Sequence, residues 1–364
     1  VIPVLDLVAE YRSLKEEIDA AVARVLSSGG FIGGAEVEAL ERALAELLGV
    51  TQVVTVASGT DALILGLRAL GVGPGDEVIT TPFTFVATVE AILHVGARPV
   101  LIDIDPRTFN LDPSHLAGAY SSKTRALLPV HLFGQPAPMR ELRSFAQRHG
   151  LALLEDAAQA IGAREGGQLV GSLGDAAAFS LYPTKNLGAY GDGGFVSTSR
   201  LEVAEEVRLL AAHGSRSRYL HERPMGYTSR LDALQAAIIR VKLPYLASWT
   251  ERRRAIARHY TEQLSGLVET PWEAPEAYHV YHQYTIRLPE RDRLAAHLKA
   301  LGIGSSVHYP RAVHEQPAYR DLAPYGSLPE AERAGREVLS LPLHPFLTDA
   351  QVEQVIEGVR SFFD

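Results

Sequence analysis

Apolar positions near the start of the chain recur at helical spacing in two runs: Leu14, Ile18, Val22, Val25 and Leu26, then Val37, Leu40, Leu44, Leu47 and Leu48. Short β-rich runs follow. They are VVTVA (53–57), EVITT (77–81), PVLID (99–103), ALLPV (126–130), LALLE (151–155), AAFSL (177–181) and GFVST (194–198). Most are continuously apolar instead of alternating, as strands covered on both faces should be. Helical stretches such as DALILGLRAL and MRELRSFAQRHG separate several of them. This alternation predicts an α/β fold built on a mainly parallel, seven-stranded sheet.

Beyond about residue 240 the pattern changes. ASWTERRRAIARHYTEQLSGL reads as a long charged helix, YHQYTIRL as a strand, and RDRLAAHLKALG and TDAQVEQVIEGVRSFF as helices. The expected division is a large domain, 1–245, with a helical segment at its start, and a smaller C-terminal α/β domain, 246–364. No internal repeat or low-complexity tract interrupts either part.

Composition narrows the function. A hydrophobic content of 46% and a charged content of 21% are those of an ordinary soluble enzyme. A net charge of −8 argues against a nucleic-acid partner, while leaving room for a small anion met by a local arginine cluster. The absence of cysteine excludes disulfides, thiolate nucleophiles and cysteine-held zinc. The opening VIPVLDLVAEYRSLKEE has no secretion-signal pattern, and no apolar stretch nears the roughly 18 residues of a membrane span. A cytoplasmic protein without membrane contact is expected. The 13 histidines show no metal-ligand spacing, so no metal is expected.

Candidate chemistry gathers where strands end, which in open α/β sheets is where ligands bind. SGTDAL, residues 58–63, leads from a strand into a helix; its glycine admits close approach and its free N–H groups suit a phosphate, or the segment is simply a Ser- or Thr-capped turn. EDAAQA places Asp156 and Gln159 after a buried strand, where a carboxylate needs a partner such as a protonated ring nitrogen, unless it only caps a helix. Ser180 and Lys185 follow in FSLYPTKNLGAYGDGG; a desolvated lysine amine attacks carbonyls, whereas a solvated loop lysine does nothing. The glycines of GAYGDGG precede a strand instead of joining a strand to a helix, so they are no dinucleotide signature. An anion cradle, a carboxylate and a lysine together match the needs of pyridoxal phosphate.

At this point a resemblance appears. IPVLDLVAEYRSLKEEID, SGGFIGGAEVEALE, VASGTDALILGLRALGVGPGDEVITTPFTFVAT, EDAAQAIGA, FSLYPTKNLGAYGDGG, SRLDALQAA, VHYPRAVHEQPAYR and LSLPLHP run nearly end to end. Their order is similar to that of the DegT/StrS-type aminotransferases of nucleotide-linked keto sugars, which have the fold of type I pyridoxal 5′-phosphate enzymes. The resemblance implies that Lys185 is the Schiff-base lysine and proton shuttle, that Asp156 pairs with the pyridinium nitrogen, and that Gln159 meets the ring hydroxyl. It implies a phosphate cup of Gly59, Thr60, Asp61 (through its backbone) and Ser180, with Phe85 stacked on the ring.

Relatives carry an asparagine that reaches the phosphate from the neighbouring subunit where this chain has Thr228. A threonine hydroxyl can donate to phosphate but is shorter. Tyr182, His308 and Tyr309 are implied near the sugar. Arg216 and Arg218, in HGSRSRYLHERP with Arg223, His213 and His221, suit a nucleotide diphosphate, or form a solvated loop. The implied activity is amino transfer, with L-glutamate as donor, to a nucleotide-linked keto sugar, with YPTKNLGAYGDGG leaning to carbon 3 and to amino-sugar supply for polysaccharides and glycans. A homodimer with active sites at its interface is implied too. A cyclitol or related keto-ring acceptor, and a cofactor-binding regulator without turnover, are the alternatives. The family's dehydratases tend to lack the lysine that this chain has.

Overall fold

A computed structural model describes residues 1–217, 219–322 and 327–364. Seven strands form the main sheet: β1 (Gln52–Val56), β2 (Glu77–Thr80), β3 (Arg98–Leu101), β4 (Thr124–Leu127), β5 (Ala152–Asp156), β6 (Ala176–Ser180) and β7 (Gly194–Thr198). Their order across the sheet is β1-β7-β6-β5-β4-β2-β3. Neighbours from β6 to β3 run parallel. Only β7 is reversed, pairing antiparallel with both β6 and β1.

The apolar runs are uninterrupted because successive side chains feed two cores. Val53, Ile79, Leu127, Leu153, Ala177, Phe179 and Phe195 point to one, against the helices Ala35–Leu48, Met139–His149 and Ala233–Lys242. Their sequence neighbours Val54, Val78, Ala126, Leu154, Ala176, Ala178 and Val196 point to the other, against Gly59–Ala69, Ala87–His94 and Leu201–Ala211. This is the two-residue period of a strand with no solvated face.

A third core is formed by the helices Leu246–Leu264, Arg291–Ala300 and Asp349–Arg360. They pack around the strand Tyr284–Arg287, which pairs antiparallel with Val338–Leu341. That strand is shorter than the strand expected over 281–288, and Tyr281 has a φ of 46°, a left-handed conformation that no strand continues through. Ile2 also packs in this third core, and its N–H and carbonyl bond Gly302 and Gly304, each at 2.8 Å.

Several elements escaped the sequence pattern, the helix Pro329–Glu337 and the strand Val338–Leu341 among them. A short helix, Leu7–Ser13, precedes Lys15–Ser28, with buried Leu14 at the junction. Arg164–Glu165, Gln168–Leu169 and Ala277–Tyr278 form a minor sheet, and Ser215–Ser217 pairs with Leu220–His221. Pieces of two or three residues carry too little periodicity to be seen. Leu26, counted in the helical stripe, is 55% exposed. Among the described residues, no helix is long and apolar enough to cross a membrane, and no cluster of His, Cys, Asp and Glu has metal-holding geometry.

Candidate active site

The carboxyl ends of β1, β5 and β6 open on one cavity of about 440 Å³. It is lined by Gly59, Thr60, Phe85, Asp156, Gln159, Ser180, Tyr182, Lys185, His308 and Tyr309, all expected from the sequence. Five segments widely spaced in the chain therefore meet: four follow strands of the sheet, whose ends it gathers, and 308–309 comes from the C-terminal part.

The cradle begins where β1 turns into the helix Gly59–Ala69. Ser58 caps that helix, its Oγ accepting the Asp61 N–H at 3.0 Å. The Asp61 N–H is thus used within the chain, and its carboxylate accepts from Ser229 Oγ at 2.5 Å, so Asp61 stands outside the cavity lining. The N–H groups of Gly59 and Thr60 have no acceptor among the described residues and sit at the positive end of the helix. A Cβ on Gly59 would lie 2.7 Å from the Ser180 Cβ, so only glycine allows this approach.

Asp156 ends β5 and is buried. Its Oδ2 accepts from Thr88 Oγ1 at 2.8 Å and its Oδ1 from the Ala158 N–H at 3.2 Å. No helix follows it, so it caps nothing. Burial raises its carboxyl above the ordinary range, while the Thr88 hydroxyl pulls the other way. Gln159 Oε1 accepts the Phe133 N–H at 2.7 Å, which aims its Nε2 toward the Tyr309 hydroxyl at 3.1 Å.

Lys185 follows β6 on a turn closed by Lys185 N–H to Tyr182 O at 2.9 Å and Ala189 N–H to Leu181 O at 2.7 Å. The turn needs glycine at 188, where a Cβ would fall 2.3 Å from the Pro183 carbonyl oxygen. The Lys185 amine has no hydrogen-bond partner among the described residues; burial lowers its pKa to about 8, against the pull of Asp156. It is not a solvated loop lysine. Phe85 leaves 55% of its surface exposed while lining the cavity, 6.2 Å from the Tyr309 ring.

Sequence reading missed Thr88, His282 and Gln283. Thr88 lies four residues after Thr84 inside PFTFVAT, at the start of the helix Ala87–His94, and the two hydroxyls bond at 2.8 Å. His282 was hidden in a stretch read as strand; burial drives its pKa well down, and its Nδ1 faces Asn186 Oδ1 at 3.2 Å. Arg216 and Thr228 do not line the cavity of their own chain. Arg216 pairs with Glu222 at 3.3 Å, and the Thr228 hydroxyl meets His213 Nε2 at 2.7 Å. Arg218 lies outside the described residues.

The donor set fits pyridoxal phosphate. Two free N–H groups at a helix start suit a phosphate, a buried carboxylate without a bonded cation suits a ring nitrogen, an open aromatic face suits the ring, and an unpartnered amine suits the aldehyde.

Comparison with known proteins agrees. Residues 12–360 match the DegT/DnrJ/EryC1/StrS aminotransferase family. The chain is 49% identical to the pleiotropic regulatory protein of Geobacillus stearothermophilus, covering 100% of this chain and 98% of that one. It is 48% identical to the dTDP-3-amino-3,4,6-trideoxy-alpha-D-glucose transaminase of Streptomyces venezuelae, over 99% and 96% of the two chains. The crystal structure of S. venezuelae DesV in complex with a ketimine intermediate matches with a TM-score of 0.97 at 48% identity, over 99% and 98% of the two chains.

Proposed function

The chain belongs to the DegT/DnrJ/EryC1/StrS aminotransferase family, and from that premise we propose that it aminates carbon 3 of a keto sugar carried on a nucleoside diphosphate. L-Glutamate is the donor, pyridoxal 5′-phosphate the cofactor, and an amino sugar for glycan synthesis the product. One observation carries this reading: the unpartnered Lys185 amine and the buried Asp156 carboxylate share a cavity with the free N–H groups of Gly59 and Thr60.

Pyridoxal phosphate, when bound, supplies a sink for the electron pair left when a C–H bond beside nitrogen breaks. Asp156 holds a proton at the ring nitrogen, a charge pairing that relieves the burial of its own carboxylate. Gln159 donates to the ring hydroxyl oxygen, Phe85 covers the ring, and Gly59, Thr60 and Ser180 hold the phosphate. Lys185 Nζ, with a pKa lowered to about 8, takes a proton from the donor's α-carbon and delivers it onward; in the sugar half-reaction it works in reverse. Tyr182, His308 and Tyr309 bind the sugar. The working unit is a homodimer: Arg216 and Thr228, off the cavity of their own chain, serve the partner's site.

The test supplies L-glutamate and a dTDP-linked 3-keto sugar and follows 2-oxoglutarate and amino sugar together. Turnover is expected, with a loss of about 10³-fold or more on Lys185→Ala. Undiminished turnover in that variant overturns the reading. The regulatory name of the Geobacillus relative favours one other role, a cofactor-binding regulator. Cofactor bound without turnover on any keto sugar would select it.

A further inference from the structure

The chain has a second buried lysine. Lys242 ends the helix Ala233–Lys242 with its side chain fully buried, paired with Glu10 of the helix Leu7–Ser13. Its Nζ donates to the Gly188 carbonyl at 2.6 Å and lies 3.9 Å from the centre of the Tyr190 ring. Burying an ammonium costs several kcal/mol, and an apolar residue of similar volume would commonly be as stable. The helix therefore holds a charge here that stability alone does not call for.

Seven residues earlier, on the same helical face, Gln235 Oε1 accepts the Tyr190 N–H at 2.8 Å. Gly191 packs beside that side chain, where a Cβ would meet Gln235 Nε2 at 3.1 Å. Both tethers thus seize the backbone immediately after Lys185, in the turn whose tightness depends on Gly188 against Pro183. The Lys185 amine has no hydrogen bond of its own among the described residues, so its place depends on that turn, which Asn186 also ties to the Val280 carbonyl at 3.2 Å.

We propose that Lys242 and Gln235 are positioning residues, a two-point clamp from one helix that fixes where the Lys185 amine stands in the cavity. The clamp rests on Lys185 being the reacting amine of the function proposed above. Loosening it lets the turn swing out and the amine regain water. The groups that face the amine, Asp156, His282 and His308, belong to other segments, and of these His282 is tied to the turn through Asn186 Oδ1 at 3.2 Å.

The experiment labels the whole chain, stripped of cofactor, with a trace of amine-acetylating reagent across a pH series, reading acetylation at Lys185 by mass spectrometry. The wild-type midpoint should fall at about 8. Gln235→Leu, and Glu10→Gln combined with Lys242→Met, should raise it by about one pH unit or more as the amine is rehydrated. In the holoenzyme the same variants should lose about tenfold or more in kcat with little change in KM. Gln235→Glu keeps an oxygen for the Tyr190 N–H and should behave as wild type. An unchanged midpoint in Gln235→Leu overturns the clamp, and so does a Gln235→Glu midpoint moved as far as that of Gln235→Leu. Should the double variant not fold, the Gln235 pair decides alone. A wild type that turns over no keto sugar, yet shows the shifted midpoints, keeps the clamp and removes the substrate reading.

Discussion

Asp156 has its two hydrogen bonds from neutral donors and no bonded cation among the described residues. In Asp156→Asn the Thr88 hydroxyl can still be met, but the charge that would hold a proton on a ring nitrogen is gone. The expected result is a fall in kcat of about 10²-fold or more with the fold retained, checked by turnover and circular dichroism. Gly59→Ala tests the cradle instead. Its Cβ would press on the Ser180 Cβ at 2.7 Å, so cofactor should dissociate about tenfold more readily or worse, read by dialysis and absorbance. Residues at strand ends were legible in the sequence because a polar group after an apolar run needs a reason. Thr88 was not legible: it sits near the start of the helix Ala87–His94 and meets Asp156 through a contact spanning 68 positions.

Among the elements, the strands of the main sheet were read to within a few residues because each is buried on both faces and keeps an unbroken apolar run. The helix Gly59–Ala69 was legible at its start through Ser58, whose side chain caps it. Ser58→Ala should cost about 1 kcal/mol. A thermal melt should show a small drop, and weaker cofactor retention should accompany it, because the same cap orders the N–H groups of the cradle. The minor sheet depends on a contact distant in sequence, Ala277 with Glu165, while the Ser215–Ser217 hairpin pairs locally but is too short to show a period.

In the whole molecule, one chain leaves Phe31, Ile32, Phe85, Tyr182 and Met225 well exposed. For the proposed homodimer, light scattering should read about twice the chain mass of 39.5 kDa, and a stable, active monomer would contradict it. Arg216→Ala should then weaken the nucleotide-linked substrate by raising KM about tenfold, while leaving exchange between glutamate and 2-oxoglutarate intact. That residue's assignment is the part of the site least readable from a single chain, because among the described residues of its own chain its charged partners are Glu205 and Glu222.

The order of the main sheet also governs when the protein can come into being. β1 lies at the edge, and its only neighbour is the reversed strand β7, Gly194–Thr198. During synthesis on the ribosome, β1 leaves the exit tunnel early and then waits, unpaired, until everything through β7 has emerged. The Ser58 carbonyl that follows β1 packs so closely on Gly194 that a Cβ there would lie 2.4 Å away. A nascent chain halted before residue 194 therefore lacks the strand that joins β1 to β6, although β6 can already pair with β5. Only past that point does β1 have the strand it pairs with in the finished sheet.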